Sequence, residues 1–104
     1  MNTIESAGPA PSGPAVLDIG GGTGALVVIV PAALLHTEPE VSPEDQPEAR
    51  THTGVHERSL HGETVLVALF PSLNEGRWTL WAEGPCATIT IEILDGQVTE
   101  VDWR

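Results

Sequence analysis

The sequence predicts an all-β fold, a seven-stranded antiparallel β-sandwich, and three observations lead there. Seven short runs are apolar or alternate apolar with polar residues, and turn residues punctuate the chain between them. No stretch carries the three-to-four-residue apolar spacing of an amphipathic helix. At 104 residues the chain suits one hydrophobic core and is too short for two.

Residues 1 to 15, MNTIESAGPAPSGPA, hold little to bury and are expected to form a disordered tail, with the domain running from 16 to 104. The first strand is ALVVIV, 25 to 30, because four β-branched residues are followed by Pro31, which a helix could not pass. LLHTEPEV, 34 to 41, reads as an edge strand that dissolves into a solvated loop rich in proline and acid. RTHTGVHERSL, 50 to 60, then pairs with ETVLVALF, 63 to 70, through a two-residue turn at His61-Gly62, which sets His56 opposite Val67 and His52 opposite Pro71. The run from Val65 to Phe70 is apolar on both faces and reads as a central strand.

In RWTLWA, 77 to 82, Trp78 and Leu80 share a face and are assigned to the core, which leaves Trp81 on the other side. ATITIEIL, 87 to 94, and QVTEVDW, 97 to 103, form the expected closing hairpin. A three-residue Leu94-Asp95-Gly96 loop sets Ile91 opposite Thr99, Ile89 opposite Val101 and Ala87 opposite Trp103, all on one dry face.

Fifteen acids against four basic residues give a net charge of −11, which opposes phosphate backbones and anionic lipid surfaces. Nucleic acid and membrane are therefore excluded as partners. The opening residues lack a cationic start and a signal-length apolar run, so a cytoplasmic location is expected. The single cysteine, Cys86, has no internal disulfide partner and reads as an idle thiol in a turn.

VLDIGGGTG, 16 to 24, resembles the D-x-G-x-G-x-G loop of Rossmann-fold methyltransferases at Asp18, Gly20, Gly22 and Gly24. That loop works through the helix behind it, and here a strand follows, so the glycines read as a lead-in to the first strand. The triple glycine is also similar to the oxyanion motif of patatin-type lipid hydrolases. The matching G-x-S-x-G is missing, since Ser59 lies in ERSLHG and Ser72 in FPSLN.

His52, His56 and His61 lie close in sequence, and with His36 they form a candidate zinc or copper set. On a strand His52 and His56 share a face but stand about 13 Å apart at roughly 3.3 Å per residue, so a second strand would have to supply further ligands. Arg50 and Arg58 share that face, and the stripe Arg50, His52, His56, Arg58 is a cationic patch able to hold a carboxylate or phosphate. The plainer alternative is that it pairs with the acids between Glu38 and Glu48. Trp81 is the candidate aromatic contact for a sugar or peptide.

FPSLNEGRWTLW leading into ATITIEILDGQVTEVDW resembles the closing half of prealbumin-like sandwiches, the carboxypeptidase regulatory-like and Cna-B-type domains, at Leu73, Gly76, Trp78, Thr79 and Leu80. Residues 17 to 103 also resemble short bacterial proteins with the frame DIGG, GALVV, RTH, FP, YTLW and VTEVDW, often labelled phospholipase; this chain has WTLW for YTLW. The first resemblance implies an immunoglobulin-like or prealbumin-like sandwich, and the second a hydrolase. The residues themselves point to a non-catalytic intracellular binding module, free of cofactor, that meets a protein or small anionic ligand. A zinc or copper protein using His36, His52, His56 and His61 is the alternative, and a phospholipase-type hydrolase the next. Self-association through an edge strand at 34 to 41 is a further expectation.

Overall fold

The computed structural model describes residues 19–104, so the expected tail and Asp18 of the glycine motif lie outside the described residues. Eight strands follow in order: β1 Thr23–Val30, β2 Glu40–Pro43, β3 Thr51–His52, β4 Val55–Leu60, β5 Glu63–Asn74, β6 Gly76–Leu80, β7 Ile89–Ile93 and β8 Val98–Asp102. They build two four-stranded sheets, in the orders β4-β5-β1-β8 and β3-β2-β6-β7. The sheets pack face to face as a sandwich.

Alternation explains the core. Leu26, Val28 and Val30 of β1 lie opposite Phe70, Ala68 and Leu66 of β5, and this inner face meets Val41, Trp78, Leu80, Ile91 and Ile93 from the other sheet. Trp78 and Leu80 are buried as their spacing predicts, at 7% and 0% exposure. Each indole N–H finds an acceptor as a buried polar group must: Trp78 donates to the Asn74 carbonyl, Trp103 to that of Ala87 and Trp81 to the Ser42 hydroxyl. The Cys86 thiol lies 3.3 Å from the Trp103 carbonyl, and burial pushes its pKa up, away from a reactive thiolate.

The His61-Gly62 hairpin stands where the sequence places it. Leu60 pairs with Glu63 and His56 with Val67, and the positive φ of both turn residues, 53° and 77°, defines a type I′ turn. Four other expectations are corrected.

The run 50 to 60 is not one strand. β3 joins one sheet and β4 the other, the chain crossing between them at Thr53-Gly54, and His52 pairs with Glu40 rather than Pro71. Residues 34 to 41 do not form an edge strand. After Pro31 a 3-10 turn at Ala32–Leu34 drops Leu34 into the core, and the strand that follows, β2, is flanked on both sides by β3 and β6. The closing hairpin is absent: β7 pairs with β6, and the turn from Leu94 to Gln97 arches across to the other sheet. Ile91, Ile93 and Val101 therefore meet the core from opposite sheets, which satisfies the same alternation. Finally, β8 runs parallel to β1, Ala25 beside Val98 and Ile29 beside Asp102, so the sandwich is not wholly antiparallel and has eight strands rather than seven.

The glycine-rich lead-in seats this arch. Gly22 N–H donates to Asp95 Oδ1 at 2.7 Å, Gly96 N–H to the Thr23 carbonyl at 2.8 Å and Ala25 N–H to the Gln97 carbonyl at 2.9 Å. A Cβ on Gly24 would lie 2.3 Å from the Leu94 carbonyl oxygen and 2.9 Å from that of Gln97, so only glycine fits beneath the arch. Gly24→Ala should lower the unfolding free energy by about 1–3 kcal/mol, the usual cost of overpacking. Urea titration checks this, with Gly54→Ala as the control, since the nearest atom there is the movable end of the His56 ring at 3.4 Å.

Candidate functional site

The crossing at Gly54 decides where the cationic stripe goes. Arg50 and His52 belong with the β2-β6 sheet and His56 and Arg58 with the β4-β5 sheet, so the four side chains are divided between the outer faces of a sandwich and form no common patch.

Arg50 is engaged. Its guanidinium stacks 3.9 Å from the centre of the Trp81 ring, donates to Glu40 Oε1 at 2.9 Å, and reaches the Pro47 carbonyl at 3.4 Å. Trp81 in turn lies over Ser42, the fully buried hydroxyl that accepts its N–H. His52 Nε2 lies 3.5 Å from Glu38 Oε1. This half of the stripe pairs with the acid loop. Arg77 does the same, gripping Glu44 with two bonds of 2.8 and 3.3 Å that hold the carboxyl below the usual carboxylate range. Beside that pair lies an open cleft of about 560 Å³ lined by Glu44, Asp45, Gln46, Glu75 and Arg77 among others.

The histidines do not converge. His36 sits past the 3-10 turn at φ 75°, His52 faces Glu38, His56 lies beside Gly54, and His61 Nε2 is 2.8 Å from Glu100 Oε1. Among the described residues no three metal-ligating side chains gather. Ser59 and Ser72 occupy exposed strand positions, on β4 and β5.

The outer face of the β4-β5-β1-β8 sheet has a different character. Ile29, Val65 and Val67 form a second buried cluster there, with Val27, Leu60 and Leu69 packed against it. Its cover follows from register. Glu100 is level with Val27 and Leu69, and the stretch of β5 from Leu69 to Glu63 is about 20 Å long at roughly 3.3 Å per residue. His61 lies beyond Glu63 yet touches Glu100, so the hairpin tip curls back over this face and carries Leu60 onto the cluster. Arg104 braces the same tip by reaching Glu63 at 3.5 Å while bonded to Asp102 at 2.9 Å.

Arg58 stands at the rim of this face, opposite Val65, with His56 before it on the same side opposite Val67. All four basic residues of the chain are arginines, and Arg50, Arg77 and Arg104 each hold a carboxylate. Arg58 holds none. Its Nη1 donates at 3.0 Å to the carbonyl of Glu57, the residue before it. The sequence marks Arg58 as a candidate, but nothing in it separates Arg58 from Arg50; the difference is made by which sheet each strand joins.

Asp102 offers a direct check on this geometry. The guanidinium and backbone N–H of Arg104 hold its carboxyl at about 2 against an ordinary 3.8. A lowered folded-state pKa contributes stability above 3.8, and that contribution is lost as pH falls toward 2. Carbon-detected NMR titration should place the Asp102 midpoint near 2, and Arg104→Ala should return it toward 3.8; equal midpoints would show that the pair does not form. Compared with family models, curated proteins and solved structures, the chain matches none.

Proposed function

We propose that the protein is a non-catalytic intracellular interaction module whose partner surface is the β4 rim of the first sheet, with Arg58 as its anion receptor. One observation carries this reading: in a chain with fifteen acids and four basic residues, Arg58 has no carboxylate partner among the described residues. Excess acid makes pairing the default, as Arg50, Arg77 and Arg104 illustrate. A guanidinium at the rim of the sheet is suited to a partner's carboxylate or phosphate, because its planar fork matches either group with two parallel bonds. His56 adds a second polar contact on the same side. Within the sandwich class, the prealbumin-like assignment is favoured over the immunoglobulin-like one. An immunoglobulin constant domain places its first, second, fifth and fourth strands in one sheet, whereas here the first strand lies between the fifth and the eighth.

The test compares Arg58→Glu with Arg50→Gln. Arg58→Glu should preserve the amide NMR dispersion of the folded domain and weaken partner binding by about 1.5–3 kcal/mol, the worth of a charge-assisted hydrogen bond, while Arg50→Gln leaves binding unchanged. Partner retention by Arg58→Glu equal to that of the wild type would refute the assignment.

A further inference from the structure

We infer that the partner segment bound at this rim is an extended strand carrying one or two carboxylates at alternate positions, added to the open edge of β4. The inference rests on the interaction-module reading and specifies its ligand.

β4 is the longest open edge among the described residues. β3 has only two residues, and on the β7-β8 side the Thr99 hydroxyl donates across the sheets to the Glu92 carbonyl at 3.1 Å. Ladder geometry defines what β4 offers. In a two-residue hairpin the pair flanking the turn is hydrogen-bonded and the pairs alternate from there, so Leu60, Arg58 and His56 point their backbone groups at β5. Val55, Glu57 and Ser59 point theirs outward. The bond from Arg58 Nη1 to the Glu57 carbonyl agrees, since that oxygen faces the open edge.

Charge then selects the occupant. A second copy of β4 fits poorly: full overlap would set Glu57 against Arg58, an outward-facing residue against an inward-facing one, and the two longest registers the ladder allows are centred on Glu57 and on Arg58, each setting that residue against its own copy. A strand whose outward side chains include a carboxylate opposite Arg58 gains a cross-strand ion pair instead, and one opposite His56 a cross-strand polar contact. Such a segment must be sparse in charge, because a polyacidic one would be repelled by the net −11 of the chain.

The probe is an acetylated, amidated heptapeptide, Thr-Val-Glu-Val-Glu-Val-Thr, titrated into isotope-labelled protein. Saturable shifts and new exchange protection at the amides of Val55, Glu57 and Ser59 are expected. Binding should weaken about tenfold or more in Arg58→Glu and in the peptide with Gln for Glu. N-methylation of the peptide backbone along the paired edge should abolish it. Equal binding of the N-methylated peptide would overturn strand addition while leaving Arg58 an anion receptor. Binding indifferent to both Gln and Arg58→Glu would overturn the receptor as well. Shifts confined to residues away from β4, or no binding at all, would overturn the proposed strand site.

Discussion

The close approach of the β7-β8 arch to Gly24 is the contact on which the rest of the molecule depends. The Leu94 and Gln97 carbonyls occupy the space a side chain would need, and the first strand bears a register slip between Gly24 and Leu26 at that point. With the arch seated, β8 can lie parallel to β1 and complete a sheet that would otherwise leave β1 as an edge. β8 then brings Val101 to the inner face and leads into Trp103, while Glu100, Asp102 and Arg104 project toward the hairpin tip. A methyl group at residue 24 would therefore act first on a turn and then on the core, the second sheet edge and the cover over Ile29, Val65 and Val67.

What the sequence discloses about this arrangement follows from what alternation can encode. A period of two says which side chains of a strand are dry, and so Trp78, Leu80, Ile91, Ile93 and Trp103 were legible as core. It does not say which strand lies alongside. The segment from Ile89 to Asp102 satisfies its pattern equally as a hairpin in one sheet or as an arch joining two, and the decision comes from β1, which lacks a neighbour on one side. The same limit hid the break at Thr53-Gly54: a glycine within an alternating run is compatible with a continuous strand, and only the long-range partners of β3 and β4 separate them. Pro31 marks the end of β1 in sequence and structure alike, but the buried Leu34 behind it belongs to a 3-10 turn whose signal is too short to recognise.

For the candidate site, residue types were legible and faces were not. A carboxylate-rich loop next to two arginines makes pairing the expected outcome for both, and Arg50 meets it through Glu40 and Trp81. Arg58 escapes because the crossing at Gly54 carries it to the opposite sheet, away from the acids between Glu38 and Glu48. Glu57, its neighbour in sequence, is on the other side of the same strand and offers its carbonyl rather than its carboxylate. That Arg58 holds no carboxylate among the described residues is thus a consequence of topology, which local sequence does not encode.

The contact between Arg58 and the Glu57 carbonyl has two consequences that are physically one. An exposed edge strand is a template for unwanted pairing, and a charged side chain folded over an outward carbonyl blocks that template. The block is weak, since it is one hydrogen bond open to solvent. An incoming strand that supplies ladder bonds to Val55, Glu57 and Ser59 and also a carboxylate for the displaced guanidinium more than replaces it. One that supplies ladder bonds alone displaces Arg58 to water and offers no ion pair in return. With strand addition as proposed, protection against indiscriminate pairing and preference for a carboxylate-bearing strand come from the same side chain, and an edge without Arg58 would be both more adhesive and less selective.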